Sequence, residues 1–514
     1  MKKVYFFTVA IVIYLFGLLG CDFKSTRFSD KNVKEGYYLA QKYCQSCHQF
    51  PKPDLLNKVT WAYHVLPKMG ELVGFRYLGL NQYLENGNAR GIDMQQWSKI
   101  VQYYTTESPE ELLKGKEKII EIALPQFKVE VPAFRIQHPA TTMVNAGSSG
   151  KHYFFGDGVT QQVYSMSADN TVVDSFQVAL GVSNLHVSDT TLLALTMGVL
   201  QPSDIKEGKL LSINIPGKKT VTLLDSLQRP VCATYADLNV DQLEDIIICE
   251  FGNTTGQLCW YQNSAAHNYI KHTLRPLPGA IKTAIQDFNR DGMPDIMAMM
   301  AQGDEGIFIF YNQGNAKFKE ERILQLPPSY GSNYFELADF NKDGYPDIIA
   351  TNGDNGDYPP ILKAYHGIRI YLNNGKNNFK ETIFLPVNGI GKAIARDFDA
   401  DGDIDIASIA FFPDYKNTPE ESFIYWENKG DLSFKAYSFN EATAGRWITM
   451  DAGDIDDDGD IDIVLGNANF SVGAVPEKFT RKWDVSTPSI LILKNTRVSV
   501  KKVNFLQSVL KKNR

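Results

Sequence analysis

The residues best suited to chemistry lie near the N-terminus, in the stretch Cys44-Gln45-Ser46-Cys47-His48. Two thiols at this spacing can form thioether bonds to the two vinyl groups of a haem, and the adjacent imidazole then becomes the proximal iron ligand. A CxxC pair can also be redox-active or bind zinc, but the sequence has no second CxxC to complete a zinc site. The pattern therefore predicts one covalent c-type haem on Cys44 and Cys47, with His48 bound to its iron.

Two stretches of helical character flank this pattern. Residues 36–43 lead directly into Cys44, and residues 93–104 precede the stop signal Ser108-Pro109. The second stretch has apolar residues on one face at helical spacing, Trp97, Ile100, Val101 and Tyr104. Together with the thiol pattern, these stretches resemble the first and last helices of class I cytochromes c over residues 34 to 114. The resemblance implies a small all-α haem domain.

The sixth iron ligand is open among three residues. The segment from Trp61 to Met69 resembles the tryptophan-to-methionine segment of compact multidomain cytochromes, in which that methionine is the distal ligand. Met69 is therefore the first choice, and a thioether in this position raises the reduction potential. Met94 has a spacing closer to that of many small cytochromes c, and His64 would lower the potential. Both remain alternatives.

Acidic residues recur in short loops at positions 1, 3, 5 and 9, with glycine at position 6, and the loops start roughly 50 to 58 residues apart. Oxygen ligands at alternating positions of a tight turn converge as calcium requires, whereas an EF-hand needs a glutamate at position 12, which these loops lack. The predicted ligands of about four calcium ions are Asp287, Asn289, Asp291 and Asp295; Asp339, Asn341, Asp343 and Asp347; Asp397, Asp399, Asp401 and Asp405; and Asp454, Asp456, Asp458 and Asp462.

A fifth loop departs from this pattern. It offers Asp237, Asn239, Asp241 and Asp245 but has Gln242 in place of the glycine. Because glycine allows the sharp turn at position 6, we expect this loop to bind calcium weakly or not at all.

Each acidic loop is followed by an apolar strand and then by further strands, such as those beginning near Gly306 and Ala316. Four short antiparallel strands per unit of about 50 residues are typical of a propeller blade. Two degenerate units without acidic loops begin near Thr141 and Ser183, which makes seven blades. The last blade lacks a clear fourth strand, and we expect residues 127–132 to fill this gap and close the ring.

The acidic loops resemble the VCBS and FG-GAP repeats of integrin α-subunits and many bacterial surface proteins. The predicted fold is therefore multidomain, with a small all-α cytochrome c-like domain followed by an all-β seven-bladed propeller. The predicted boundaries are a signal peptide at 1–20, a tether at 21–33, the haem domain at 34–114, a linker at 115–125, the propeller at 126–496 and a tail at 497–514.

Export is predicted from the first 21 residues. Two lysines precede an apolar stretch, residues 4–19, that is too short to span a membrane comfortably. Residues 18–21, Leu-Leu-Gly-Cys, resemble the lipobox of bacterial lipoproteins. This resemblance implies cleavage before Cys21 and anchoring of the acylated Cys21 to a bacterial membrane, on its periplasmic or cell-surface side. An uncleaved anchor helix is the alternative. The net charge of −7 gives no reason to expect a nucleic-acid partner.

Two further patterns stay open. Cys249 and Cys259 flank a glycine-containing turn almost symmetrically and form either a disulfide or two buried thiols. Basic residues precede several acidic loops by five or eight positions, namely Lys282, Lys392, Arg229 and Arg446. They form either an anion-accepting pocket near the channel mouth or ordinary solvated loop charges.

Electron transfer outside the cytoplasm is the leading functional prediction. The haem would exchange electrons with a redox partner protein, while the calcium-binding propeller docks that partner or binds a ligand. One alternative is adhesion, in which the propeller binds a glycan or protein. Another is a propeller dehydrogenase that passes electrons to its haem. The sequence shows no residue set for an organic cofactor or a catalytic acid–base pair, so an electron carrier is favoured over an enzyme.

Overall fold

A computed structural model describes residues 28, 30–86, 91–115, 118–147, 152–264, 268–315, 317–356, 361–470, 473 and 475–497. The predicted signal peptide, Cys21 and residues 498–514 of the tail lie outside these ranges. None of the helices within them is long and apolar enough to span a bilayer. The chain divides into two compact units, the first ending at Ser46 and resuming from Lys52 to Glu111, and the second formed by Cys47–Pro51 and the residues from Leu112 onward.

The N-terminal unit is mainly helical. Its elements are α1 (Lys31–Cys44), a 3₁₀ turn (Pro53–Leu55), α2 (Lys58–Thr60), a π-helical turn (Trp61–Val65), α3 (Leu66–Leu72), the hairpin of β1 (Phe75–Gly79) and β2 (Gln82–Glu85), and α4 (Met94–Glu107). Both long helices begin at aspartate caps. Asp30 accepts hydrogen bonds from two backbone N–H groups of α1, and Asp93 and Gln96 form a capping box on α4. The two predicted helices are confirmed.

Helix α1 crosses α4 at Gly36. A Cβ atom at this position would lie 2.0 Å from the carbonyl oxygen of Lys99, so only glycine allows the two backbones to approach this closely. Beside the crossing, Lys99 Nζ lies 2.6 Å from Glu35 Oε2. The crossing turns one face of α4 inward, where Trp97 and Tyr104 are buried.

The second unit is a seven-bladed β-propeller. Two strands precede its first blade, β3 (Ile120–Ile122) and β4 (Phe127–Glu130). The blades without acidic loops are β5 (Thr141–Asn145), β6 (His152–Asp157), β7 (Gln162–Ser167) and β8 (Val172–Gln177), and then β9 (Val182–Val187), β10 (Thr191–Thr196), β11 (Gly208–Asn214) and β12 (Thr220–Leu227). Their starts confirm the two degenerate units predicted from the sequence.

The other five blades carry the acidic loops. Blades three and four are β13 (Pro230–Ala236), β14 (Asp245–Glu250), β15 (Gln257–Ser264) and β16 (Asn268–Arg275), and β17 (Ala280–Gln286), β18 (Asp295–Met300), β19 (Gly306–Asn312) and β20 (Phe318–Gln325). Blades five and six are β21 (Ser332–Ala338), β22 (Asp347–Asn352), β23 (Gly367–Asn373) and β24 (Phe379–Pro386), and β25 (Ile390–Arg396), β26 (Asp405–Ala410), β27 (Phe423–Asn428) and β28 (Phe434–Ser438). Blade seven contains β29 (Trp447–Gly453), β30 (Asp462–Asn467) and β31 (Ile490–Asn495), with α5 (Glu477–Ser486) before its third strand.

Residues from before the first blade close the ring. Strand β4 pairs antiparallel with β31 as the outer strand of blade seven, with Val129 opposite Leu493. This confirms the predicted closing strand. Strand β3 pairs in parallel with β28 at the outer edge of blade six, with Glu121 opposite Tyr437. This strand lies in the segment predicted as a linker and was not foreseen.

The strand register excludes the Cys249–Cys259 disulfide. Cys249 lies opposite Leu258 across the β14–β15 hairpin, and Cys259 lies opposite Ile248. Because side chains alternate between the two faces of a sheet, the two thiols point to opposite faces. They belong to different hydrophobic cores, one shared with blade four and the other with blade two. Both are buried thiols in the structure.

Candidate metal-binding loops and haem-attachment motif

The five acidic loops connect the first and second strands of blades three to seven. Each contains two residues in the left-handed conformation, at positions 4 and 6. In blade six these are Ala400, with φ 55°, and Gly402, with φ 96°. The sequence predicted the turn at position 6. It did not predict the one at position 4, where residues other than glycine adopt this conformation in all five loops.

Backbone N–H groups hold the carboxylates of each loop in place. In blade six, Asp397 accepts from the N–H of Asp401 at 3.1 Å and from the N–H of Gly402 at 3.0 Å. Asp399 accepts from the same Asp401 N–H at 3.1 Å. The two bonds to the first aspartate recur in the other four loops. The loops therefore share one geometry.

The aspartate at position 9 joins each loop to the third strand of its blade. Asp405 is fully buried. Its Oδ2 accepts from the N–H of Phe398, and its Oδ1 accepts from the N–H of Asn428 at the end of β27. The equivalent residues make the same pair of bonds, namely Asp245, Asp295, Asp347 and Asp462. This residue, predicted as a metal ligand, therefore also has a structural role.

The asparagine whose backbone N–H donates to this carboxylate was not predicted from the sequence. In blades four to seven it is Asn312, Asn373, Asn428 and Asn495, and its side-chain amide also donates to the carbonyl group just before position 9. In blades four to six its side-chain oxygen accepts from a glycine N–H two residues later. The recurring Asn-x-Gly at the end of the third strand was the available signal.

Carboxylate oxygens converge in the two most acidic loops. One oxygen from each of Asp397, Asp399 and Asp405 lies within 4.8 Å of the others, and the same holds for Asp454, Asp456 and Asp462. Calcium binds such oxygens at about 2.4 Å, so three at this separation can share one ion. Positions 1, 3 and 9 thus come together in these loops, whereas Asp401 and Asp458, at position 5, lie outside the two groups.

Blades four and five differ at position 3. Asn289 donates its amide N–H to Asp291 Oδ2 at 2.9 Å, and Asn341 does the same to Asp343. The first aspartates, Asp287 and Asp339, keep the backbone bonds seen elsewhere. Each of these loops therefore has an amide at position 3, where the loops of blades six and seven have a carboxylate.

Three cations lie against the two most acidic loops, and one of them, Lys342, has its Nζ 2.6 Å from Asp403 Oδ1. Arg497 Nη1 is 2.9 Å from Asp399 Oδ2, and Lys494 forms an ion pair with Asp456. Even so, burial raises the pKa of Asp405 and of Asp462 to about 7, and neighbouring carboxylates add to this effect. A divalent cation would favour the ionised forms, so both loops have the electrostatics of a cation site.

The loop of blade three keeps the common geometry without its glycine. Gln242 has φ 69° and Val240 has φ 60°. The Gln242 N–H donates to Asp237 Oδ2 at 2.8 Å, as the glycine N–H does in the other loops. A left-handed backbone is costly for residues with a Cβ, and most of all for a β-branched one, by roughly 1–2 kcal/mol each. At position 6 this loop is therefore strained by a side chain where its neighbours have glycine, and at position 4 it has a β-branched residue in the left-handed conformation.

The haem-attachment motif begins at the end of α1. Cys44 is the last residue of that helix and is half-buried. It lies against Tyr104, whose pKa is raised well above its usual value by burial and then by Cys44. In the second unit Cys47 is exposed and His48 is only 8% exposed. His48 Nδ1 lies 2.9 Å from the carbonyl oxygen of Gln49, and a proton there leaves Nε2 as the nitrogen that can bind iron.

The three candidates for the sixth ligand lie in the N-terminal unit. Met69 is in the middle of α3, Met94 is the first residue of α4 and His64 is in the π-helical turn. All three side chains are half-buried. Partial burial suits a ligand at the edge of a haem pocket, and π-helical turns are frequent at functional sites.

The inner face of α4 extends from Cys44 at one end to Gly70, the residue after Met69, at the other. Tyr104 contacts Cys44, and Trp97, two turns earlier, packs against Gly70, where an added Cβ would lie 3.1 Å from the indole. Trp97 Nε1 and the hydroxyl groups of Tyr77 and Tyr83 are buried without a hydrogen-bond partner in the described part of the unit. Buried donors normally have one. These residues therefore fit a bound group that brings acceptors, as haem propionates do.

The four basic residues identified before the acidic loops have separate roles. Lys282 and Lys392 place their Nζ atoms 5.6 and 4.9 Å from the ring centre of Tyr334, and Lys392 also donates to a backbone carbonyl at 2.7 Å. Arg229 and Arg446 donate to backbone carbonyls of neighbouring loops. Three of the four cations are thus engaged within the fold, which favours structural roles over one shared anion pocket.

Residues 287–350 and 397–465 match the FG-GAP-like repeat family. The propeller carries FG-GAP-like repeats. Over 129 residues the chain is 27% identical to human integrin alpha-7, and this match covers 23% of the chain and 11% of that protein. An FG-GAP β-propeller supports a ligand-binding role for this unit.

Two solved structures are similar to the chain at low sequence identity. A streptogramin B lyase structure has a TM-score of 0.45 and 14% identity, and covers 72% of this chain and 98% of its own. The virginiamycin B lyase of Staphylococcus aureus has a TM-score of 0.44 and 11% identity, and covers 72% of this chain and 99% of its own.

Proposed function

We propose that this protein is an exported electron-transfer protein that carries one covalent c-type haem, and that its calcium-loaded FG-GAP propeller docks a partner or binds a ligand. The observation that carries the proposal is the CxxCH motif, which starts at the end of α1 with Cys44 against the inner face of α4. The close α1–α4 crossing at Gly36 supports it, since it holds this face rigidly inward.

Three residues of the motif would bind the haem. When bound, the haem supplies a one-electron redox centre. Cys44 and Cys47 would hold it covalently, and His48 would bind the iron through Nε2. Met69 is the first choice for the other axial position. With both axial positions filled by protein ligands, the centre is suited to outer-sphere transfer to another protein.

The acidic loops of blades four to seven would bind about four calcium ions. In the absence of a cation, three converging carboxylates repel one another at the start of the second strand. Calcium would remove this repulsion and fix each loop against its blade. The propeller would thereby offer a stiff surface for a redox partner, or for a glycan or protein ligand.

Export and anchoring form part of the same proposal. The resemblance of residues 18–21 to a lipobox supports acylation of Cys21 and attachment to a bacterial membrane, on its periplasmic or cell-surface side. Mass spectrometry of the mature N-terminus should find an acylated Cys21 as the first residue. An intact N-terminus that still contains residues 1–20 would argue for an uncleaved anchor instead.

An absorption spectrum tests the haem directly. The protein is produced in a host that attaches c-type haem, reduced with dithionite and then denatured. We expect a sharp reduced α-band and haem that stays with the polypeptide, both lost in the Cys44→Ala/Cys47→Ala variant. Haem-free wild-type protein from a host with working haem attachment would reject electron transfer.

A binding propeller that works without the haem is the second candidate, and the FG-GAP repeats are the observation that favours it. A glycan array probed with wild-type and Cys44→Ala/Cys47→Ala proteins separates the two functions. Binding that is lost on chelation of calcium but unchanged in the haem-free variant would support adhesion. Binding that follows the haem redox state would support partner docking.

A further inference from the structure

Cys232 and Cys249 lie directly opposite each other on the antiparallel strands β13 and β14. They are 4% and 0% exposed, and both are thiols in the structure. Opposed residues of antiparallel strands have Cα atoms about 4.5–5.5 Å apart, which is within the range of disulfide bonds. The two side chains belong to the same hydrophobic core. Unlike Cys249 and Cys259, this pair meets the geometric requirement.

Lys282 of blade four lies beside this pair. The neighbouring Cys249 thiol, and then the charge of Lys282, lower the pKa of Cys232 against the opposing effect of burial. Burial raises the pKa of Cys249. Because the thiolate is the attacking species in disulfide exchange, Cys232 is the better nucleophile of the two.

The two cysteines stand on either side of the strained acidic loop of blade three. That loop contains left-handed Val240 and Gln242, and no glycine at position 6. The equivalent opposed pairs in blades four to seven are Lys282 with Met299, Tyr334 with Thr351, Lys392 with Ile409 and Thr449 with Gly466. Among the five loop-bearing blades, the cysteine pair thus occurs in the one whose loop lacks the glycine.

We propose that Cys232 and Cys249 form a disulfide that joins β13 and β14, the two strands that flank the blade-three loop. A covalent bond between the flanking strands restrains the unfolded chain and so offsets the strain at Val240 and Gln242. This role is independent of haem and calcium.

A small disulfide such as oxidised glutathione is a sufficient oxidant. The Cys232 thiolate attacks one glutathione sulfur and releases the first glutathione thiolate. Cys249 then loses its proton, and its thiolate attacks the Cys232 sulfur and releases the second. In total, the two cysteine thiols lose two electrons and two protons, and one glutathione disulfide becomes two glutathione thiols.

Thiol mapping tests the bond. The full-length protein is unfolded in urea and refolded in a buffer of reduced and oxidised glutathione. It is then denatured without reductant, treated with N-ethylmaleimide and digested for mass spectrometry. We expect a peptide pair linked through Cys232 and Cys249, with N-ethylmaleimide on Cys259. N-ethylmaleimide on both Cys232 and Cys249, or a link from Cys249 to Cys259, overturns the proposal.

Thermal unfolding tests the bracing role. A reductant should lower the midpoint of the oxidised protein by about 4 °C and leave the Cys232→Ala/Cys249→Val variant unchanged. Cys259→Ser is the matched control, because it removes a buried thiol from the same blade but from the other face. It should keep the response to reductant. A wild-type midpoint that does not respond to reductant overturns the bracing role, even where the bond has formed.

Discussion

Thr496 and Gln126 are joined by two hydrogen bonds although they lie 370 positions apart in the sequence. The backbone N–H and the Oγ1 of Thr496 both donate to the carbonyl oxygen of Gln126, at 2.8 and 2.9 Å. The bonds extend the β4–β31 ladder, in which Val129 lies opposite Leu493. Blade seven is therefore held together by strands from opposite ends of the propeller sequence.

Removing one aromatic ring from this closing strand should weaken the whole propeller. Phe127 is buried, with its ring centre 5.8 Å from that of Phe398 and 5.4 Å from that of Tyr425. We expect Phe127→Ala to lower the free energy of unfolding by about 3–4 kcal/mol in urea titrations. The neighbouring Lys128→Ala changes an exposed residue of the same strand and should cost little. Equal losses in both variants would contradict a closing role for the Phe127 ring.

The strain at Gln242 predicts a stabilising substitution. Gln242→Gly removes the Cβ from a residue with φ 69°, so we expect a gain of about 1 kcal/mol in thermal or urea unfolding. Gly292→Ala is the reciprocal change in blade four. Nothing lies within 4 Å of the added Cβ, so its expected loss comes from the backbone alone. A destabilised Gln242→Gly protein would show that the loop is not strained at this position.

Buried Glu305 predicts how stability changes with pH. It is 4% exposed and accepts hydrogen bonds from the N–H and Oγ of Ser332, and burial raises its pKa to about 8. The neutral form of Glu305 therefore stabilises the fold. This contribution is fully present below the pKa of the unfolded state and is lost as the pH rises through about 8. At pH 8, Glu305→Gln should therefore stabilise the protein by about 4 kcal/mol, with little effect at pH 4.

Differential scanning calorimetry between pH 4 and pH 8 measures this effect. Glu441→Gln replaces an exposed glutamate of the same propeller and should leave the pH dependence as in the wild type. Parallel curves for wild type and Glu305→Gln would mean that Glu305 is ionised in the folded protein at neutral pH.

Calcium stoichiometry checks the acidic loops. Asp397→Ala/Asp399→Ala removes two of the three converging carboxylates of blade six, so the bound calcium measured by plasma mass spectrometry should fall from about four to about three ions. The matched Asp237→Ala/Asp241→Ala change in blade three should leave the count unaltered. An unchanged number of bound calcium ions in the blade-six variant would show that these carboxylates form an acidic turn stabilised by Arg497 and not a calcium site.

Spectra of three variants decide the sixth ligand of the proposed haem. Replacing the true ligand by alanine should abolish the weak methionine-type band of the oxidised protein and shift the potential downward if that ligand is a thioether. We expect this for Met69→Ala, and an unaltered spectrum for Met94→Ala and His64→Ala. A change in the Met94→Ala spectrum alone would move the ligand to the start of α4.

The propeller could be predicted closely because its repeats are patterned throughout. The closing strand was evident from the alternation in residues 127–130 and from the missing strand of blade seven. Strand β3 was not, because Ile120-Glu121-Ile122 is too short to show a pattern and gains its partner only in the folded sheet. Between the two interpretations that the sequence left open for Cys249 and Cys259, the structure shows two buried thiols, because the pair is one position out of register and the side chains point to opposite faces.

In the acidic loops, too, some features could be predicted from the sequence and others depend on how the strands pair. The calcium-type spacing was visible in the sequence, since it depends on residues within a single turn. The asparagine whose backbone N–H donates to the position-9 aspartate lies on a different strand, 23 residues from Asp405 in the case of Asn428. Its role depends on how the second and third strands pair, which the spacing alone does not reveal.

The seam between β4 and β31 also sets an order of events during synthesis. Strand β4 is made before the first blade and β31 after nearly all the others, so the last blade waits for almost the entire chain. The helical unit lies entirely before Leu112 and has its own buried residues. It can therefore mature early, whereas the propeller completes its circle only after translation has nearly finished.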